Sequence, residues 1–119
     1  MNKLIEDRIG ERARAHSEER AILVGLDLGK DADWQEQESM EELIELAQTA
    51  GVQILHTIIQ KRNKPDPATF IGEGKAEQLR DLATQVNAHV LVFNDALTPA
   101  QARNLEELIQ KKKIGRAHV

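Results

Sequence analysis

Two fragments whose residue types and spacing could do chemistry lie between Arg62 and Leu79, in R-N-K-P-D-P-A-T-F-I-G-E-G-K-A-E-Q-L. Asn63, Lys64 and Asp66 stand in N-K-x-D order, the spacing by which an amide and a carboxylate read a guanine ring. Gly72, Gly74 and Lys75 have the composition of the end of a phosphate-binding loop. The two fragments do not combine into one nucleotide site. A guanine pocket needs a phosphate loop upstream, in a strand-to-helix turn, and residues 1–62 contain no G-x-x-x-x-G-K-[ST]. Ala76 also occupies the place where a magnesium-binding Ser or Thr is required. Asn63 to Asp66 then reads as a charged loop stiffened by Pro65 and Pro67. For Gly72, Gly74 and Lys75 two readings stay open. The first N–H groups of a helix and a lysine can hold an anion such as a nucleotide phosphate. A glycine turn required by tight packing accounts for the same residues without a ligand.

Lys61, Arg62 and Lys64 form a local basic run that could touch phosphates, although such a run is usually a solvated loop. Asp27 and Asp95 both follow apolar strand-like stretches and could meet at the carboxyl edge of a sheet, where open α/β folds place ligands. Paired acids there could hold magnesium, but V-Q-I-L-H-T-I-I-Q-K-R ends in basic residues and supplies no third acid, so no metal site is assigned. His16, His56, His89 and His118 show neither i,i+4 pairing nor ligand spacing with acids. No catalytic residue is assigned.

Composition narrows the field further. A chain of 119 residues suits one domain with a real core. With one Trp, two Phe and no Tyr, that core must be aliphatic, and stacking platforms for single-stranded nucleic acid are not expected. The absence of cysteine excludes disulfides, thiolate metal sites and thiol nucleophiles. A net charge of -4 argues against a general polyanion binder, and DNA is not an expected partner. M-N-K-L-I-E-D-R-I-G-E-R carries early acids and no apolar run, so neither a secretory signal nor a membrane span is expected, and the cytoplasm is the expected location.

Strands and helices alternate in the elements that must position these groups. Residues 1–19, rich in Glu and Arg, read as a charged leader. Ala21 to Leu28 is a continuous apolar run, as for a strand covered on both faces, followed by a loop in G-K-D-A-D-W. S-M-E-E predicts a helix start with Ser39 and Glu42 as a capping box, Leu43, Leu46, Ala47 and Ala50 on its buried face, and Gly51 at its stop. Val52 to Gln60 reads as a second strand and A-T-F-I as a short one. The glycine turn then opens a helix whose stripe is Ala76, Leu79, Leu82, Ala83 and Val86. His89 to Asp95 reads as a strand, and Thr98 caps a last helix with Pro99 at its first position. The expectation is an α/β domain with a mostly parallel sheet flanked by helices and incomplete at the C-terminus.

R-A-I-L-V-G, S-M-E-E-L-I-E-L-A-Q-T-A-G, Q-K-R-N-K-P-D-P-A-T-F-I-G-E-G-K, F-N-D-A-L-T-P-A-Q and R-N-L-E-E follow one another without a break from Arg20 to about Gln110. In that order they resemble the N-terminal domain of the HflX family of ribosome-associated GTPases. The resemblance implies a ribosome-binding or regulatory module that meets the large ribosomal subunit, in a family implicated in separating stalled subunits. It also implies that GTP and magnesium belong to a separate GTPase domain of the full-length family, leaving this chain with no cofactor and no GTPase activity of its own. N-K-P-D is then a coincidence within a family loop. The alternative, suggested for this domain of the family, is an ATP- or GTP-binding unit with weak hydrolase activity, using Gly72, Gly74 and Lys75.

The last residues depart from the family pattern. K-I-G-R-A-H-V, residues 113–119, is the translation of AAG ATC GGA AGA GCA CAC GTC, a common sequencing-adapter sequence whose next codon is a stop. The expectation is therefore a domain spanning residues 20–112, followed by a non-native, disordered tail over residues 113–119 in place of a further strand.

Overall fold

The structure, a computed structural model, describes residues 19–29, 32–109 and 113–116. The charged leader falls outside the described residues except for Glu19, and so do His16 and His118. The elements are β1 (Arg20–Asp27), α1 (Ala32–Thr49), β2 (Gln53–Lys61), α2 (Glu73–Val86), β3 (Val90–Phe93), α3 (Pro99–Ile109) and β4 (Lys113–Arg116). Every strand pairing is parallel, in the order β2-β1-β3-β4. The expected α/β class and parallel sheet are what the chain adopts.

The unbroken apolar run of β1 makes it the strand between β2 and β3, with every residue from Ala21 to Asp27 buried. Its alternate side chains feed two cores. Ala21 and Leu23 meet Met40, Leu43 and Ala47 of α1, together with Val90 and Val92. Ile22, Val24 and Leu26 meet Ala76, Leu79 and Ala83 of α2 and Leu105 and Ile109 of α3, with Leu91 and Phe93. Each aliphatic side chain withdrawn from water in these layers contributes roughly 1.5–3 kcal/mol before chain entropy is counted. β2 lies at an edge and carries a bulge: Ala21 pairs with Ile54 but Ile22 with His56, so Leu55 is the extra residue. Ile54 and Ile59 pack on one core and Leu55 and Ile58 on the other, so the parity of the strand changes past the bulge and its period of two is broken.

Three expectations need correction. Ser39 does not start a helix; it lies inside α1, which begins at Ala32 within the expected loop. Gln and Glu are good helix formers and nothing from Ala32 onward breaks the helix, while the Ser39 hydroxyl is taken up elsewhere. A-T-F-I is not a strand but a closed turn, because Asp66 and Phe70 exchange backbone hydrogen bonds of 2.9 Å in each direction. The tail is not without structure either. The backbone of Lys113 to Arg116 pairs with Val90 to Phe93 as β4, satisfying an edge of β3 whose N–H and C=O groups would otherwise face outward.

Two helix ends behave as the sequence predicts. Gly51 takes a φ of 84° at the end of α1, where a side chain would be strained. Thr98 and Gln101 form a reciprocal cap on α3: the Gln101 N–H donates to Thr98 Oγ1 at 3.1 Å, and the Thr98 N–H donates to Gln101 Oε1 at 3.0 Å.

Candidate functional site

Parallel strands end on one side, so the segments after β1, β2 and β3 share the carboxyl edge of the sheet. The basic arm, the glycine turn and the acids at Asp27 and Asp95 all lie in those segments or at their margins. The arm is the most elaborately built of them. Asp66 Oδ1 accepts the backbone N–H groups of Ala68 and Thr69, each at 2.8 Å, which closes the turn through Pro67. These two N–H groups, Thr69 first, hold the Asp66 carboxyl below its ordinary value. Phe70 closes the loop at a φ of 65°, unusual for a bulky residue, and its ring packs edge-on against Phe93 with centroids 6.1 Å apart.

The members of the basic run differ in what they do. Lys61 and Lys64 are exposed. Arg62 is half-buried; its Nε donates to the Lys64 carbonyl at 3.0 Å and Nη2 stands 4.0 Å from Asp66 Oδ2. Its guanidinium also lies against Gly72, where a Cβ would come 2.6 Å from Nη1. Gly72, at a φ of 95°, therefore admits the arginine and takes a backbone conformation that other residues rarely adopt. Asn63, Pro65, Pro67 and Ala68 complete an exposed rim.

Gly72 is the N-cap of α2, and Gly74 and Lys75 lie inside its first turn rather than in a loop wrapped around a phosphate. Gly74 is exposed and Lys75 half-buried. Ala76 is fully buried and brings no hydroxyl to the helix start, so these residues do not fit a magnesium–nucleotide group. What they can offer is unpaired helix N–H groups beside two cations.

The acids converge between β1 and β3, where the strand order reverses. Glu36 of α1 joins them, a residue absent from the sequence-derived candidates because nothing local marks it. Its Oε2 accepts from Asn94 Nδ2 at 3.1 Å, and the same amide donates to Ser39 Oγ at 2.9 Å. Gly25 makes the approach possible, since a Cβ there would collide with Glu36 Oε2 and stand 2.8 Å from Met40 Cε. Burial raises the Glu36 carboxyl above its ordinary value, with the charges of Asp95 and Asp27 adding to the rise and the Asn94 amide opposing it. Burial raises Asp95 as well. Asp27 is buried, with Oδ1 accepting the Gly29 N–H at 2.8 Å. Among the described residues, no group of three or more His, Asp or Glu is arranged to hold a metal ion. His56 and His89 are both exposed.

Residues 37–119 match the family model described as GTP-binding GTPase N-terminal. The GTPase HflX of Lacrimispora saccharolytica is 39% identical over 102 residues, covering 86% of this chain and 24% of that protein. The GTPase HflX of Escherichia coli strain K12 is 39% identical over 98 residues, covering 82% and 22%. That of Flavobacterium psychrophilum is 33% identical over 101 residues, covering 85% and 24%. The chain thus spans about a quarter of the length of these curated relatives.

Proposed function

Since this chain belongs to the HflX family of GTP-binding proteins by its match to their N-terminal domain, we propose that it is the ribosome-binding and regulatory module of such a protein. Its partner is the large ribosomal subunit, met through the arm after β2. The observation that carries this reading is the build of that arm: a loop closed on Asp66, with Lys61 and Lys64 exposed on a chain of negative overall charge. Lys61 and Lys64 supply the phosphate contacts, and Arg62 contributes through the brace it forms inside the loop. The catalytic work on GTP, with its magnesium, is assigned to the remainder of the full-length protein and not to this chain. The location is the cytoplasm, where the partner is; no helix among the described residues is long and apolar enough to cross a membrane.

Co-sedimentation with purified large ribosomal subunits over a salt series tests the reading. Reversing Lys61 and Lys64 to Glu should weaken binding and flatten its salt dependence, because fewer counterions are released. Binding with an unchanged slope would move the contact away from the arm.

The second reading, nucleotide binding at Gly72, Gly74 and Lys75, draws support from the Arg62 guanidinium placed at the N-terminus of α2. On that reading ATP or GTP binds weakly through its phosphates. Calorimetry with both nucleotides on the wild type and Lys75→Ala separates the readings, since affinity retained in full by the variant removes the helix start from consideration.

A further inference from the structure

Two carbonyls of the arm's closed turn, those of Asp66 and Ala68, accept side-chain hydrogen bonds from α3, more than thirty residues further along the chain. Gln101 Nε2 donates to the Asp66 carbonyl at 2.9 Å, across 35 positions of sequence. Asn104 Nδ2 donates to the Ala68 carbonyl at 2.9 Å, across 36 positions. The two amides are three residues apart, which puts them on one face of the helix. From this geometry we infer that Gln101 and Asn104 are positioning residues for the basic arm, holding it in the shape it presents to its partner. The inference rests on the ribosome-binding reading above and adds the residues through which the arm is made rigid.

The chemistry of Gln101 supports a double role. It is buried, and both ends of its amide are engaged: Oε1 accepts from the Thr98 N–H while Nε2 reaches the arm. A glutamate at this position could complete the helix cap equally well but has no N–H to give the loop. Asn104 caps nothing among the described residues; its side-chain amide is directed to the arm. The loop needs such external support. Phe70 is held at positive φ, a conformation that persists only when the surroundings over-determine it. A loop ordered before binding loses less conformational entropy when it meets a partner, so its rigidity enters the affinity directly.

Amide hydrogen exchange on the full chain, with binding to purified large ribosomal subunits measured beside it, tests the inference. Asn104→Ala changes no charge and lies outside the helix cap. It should leave the denaturation midpoint where it is, speed exchange at the Ala68 and Thr69 amides by about tenfold, and weaken ribosome binding by about three- to tenfold with the salt slope unchanged. Gln101→Glu keeps an acceptor for the Thr98 N–H and should show the same faster exchange at Ala68 and Thr69. Wild-type exchange at those amides in both variants overturns the inference. So does faster exchange in Asn104→Ala with undiminished ribosome binding, provided that reversal of Lys61 and Lys64 weakens it. If that reversal has no effect, the ribosome-binding reading is the one that fails, and the exchange rates alone decide whether α3 positions the arm.

Discussion

Glu36 and Asp66 are both carboxylates at the carboxyl edge, and their surroundings push them in opposite directions. For Glu36 and Asp95 the folded state binds a proton more tightly than the unfolded chain does, because burial penalises the charged form. The stability linked to them is therefore present below the ordinary values of 4.5 and 3.8 and is lost as pH rises through the raised ones. Glu36→Gln keeps an oxygen to accept from Asn94 and removes the charge, so it should flatten that loss and leave the protein more stable than wild type at neutral pH. Denaturant unfolding across a pH series gives the answer; a profile that superimposes on wild type would show that Glu36 is not a source of the loss. Asp66 contributes in the other sense, with stability present above 3.8 and lost as pH falls through its lowered value. Asp66→Ala strips the Ala68 and Thr69 N–H groups of their acceptor and should destabilise by about 1–2 kcal/mol, read as a shift in the unfolding midpoint.

Among the elements, the stop of α1 at Gly51 and the start of α3 at Thr98 were the most legible features, because each is decided by a few neighbouring residues. T-P-A-Q spells the cap of α3, and Thr98→Ala should lower stability by about 1 kcal/mol in thermal unfolding. The end of α2 was harder to read. Asn87 takes the left-handed position, and Arg20 donates to the carbonyls of Val86 at 2.8 Å and Asn87 at 3.1 Å, closing the helix from the first residue of β1. Arg20→Ala should cost about 1–2 kcal/mol by leaving those carbonyls without their protein donor, a loss that equilibrium denaturation would register. The start of α1 was misread because S-M-E-E is a sound capping signal that tertiary structure overrode. Once Asn94, just after β3, reaches Ser39 and Glu36, the same residues serve better inside a helix than at its tip. A-T-F-I failed as a strand for a related reason. Its β-branched and aromatic content is real, but Asp66 captures the backbone N–H groups that a strand would present.

At the scale of the molecule, the sheet is assembled by pairings that no local pattern specifies. β4 shows this most clearly, since K-I-G-R carries little strand signal and owes its conformation to the open edge of β3. Deleting residues 114–119 removes most of that pairing and should lower stability, by on the order of 2 kcal/mol if each backbone hydrogen bond contributes its usual net amount. A melting temperature equal to that of the full chain would show that β3 is stable as an edge. The order β2-β1-β3-β4 also decides which loops share the carboxyl edge, and with it the approach of the arm to Asp27 and of Glu36 to Asp27 and Asp95.

By itself the sequence determined whatever depends on near neighbours: the alternation of strands and helices, the apolar faces, the turn glycines, the Thr98 cap, and the motif order that marks the family. Only the tertiary structure decided how the candidate residues are used. It turned Arg62 inward to brace the loop, put Gly74 and Lys75 inside a helix, and recruited Glu36 to the acids. It also tied the arm's closed turn to α3 through Gln101 and Asn104. The physical reason is distance along the chain. Glu36 meets Asn94 across 58 positions and Gln101 meets Asp66 across 35, and groups so far apart in the chain are held within hydrogen-bond reach only by a fold whose sheet and helices the two buried cores keep in place.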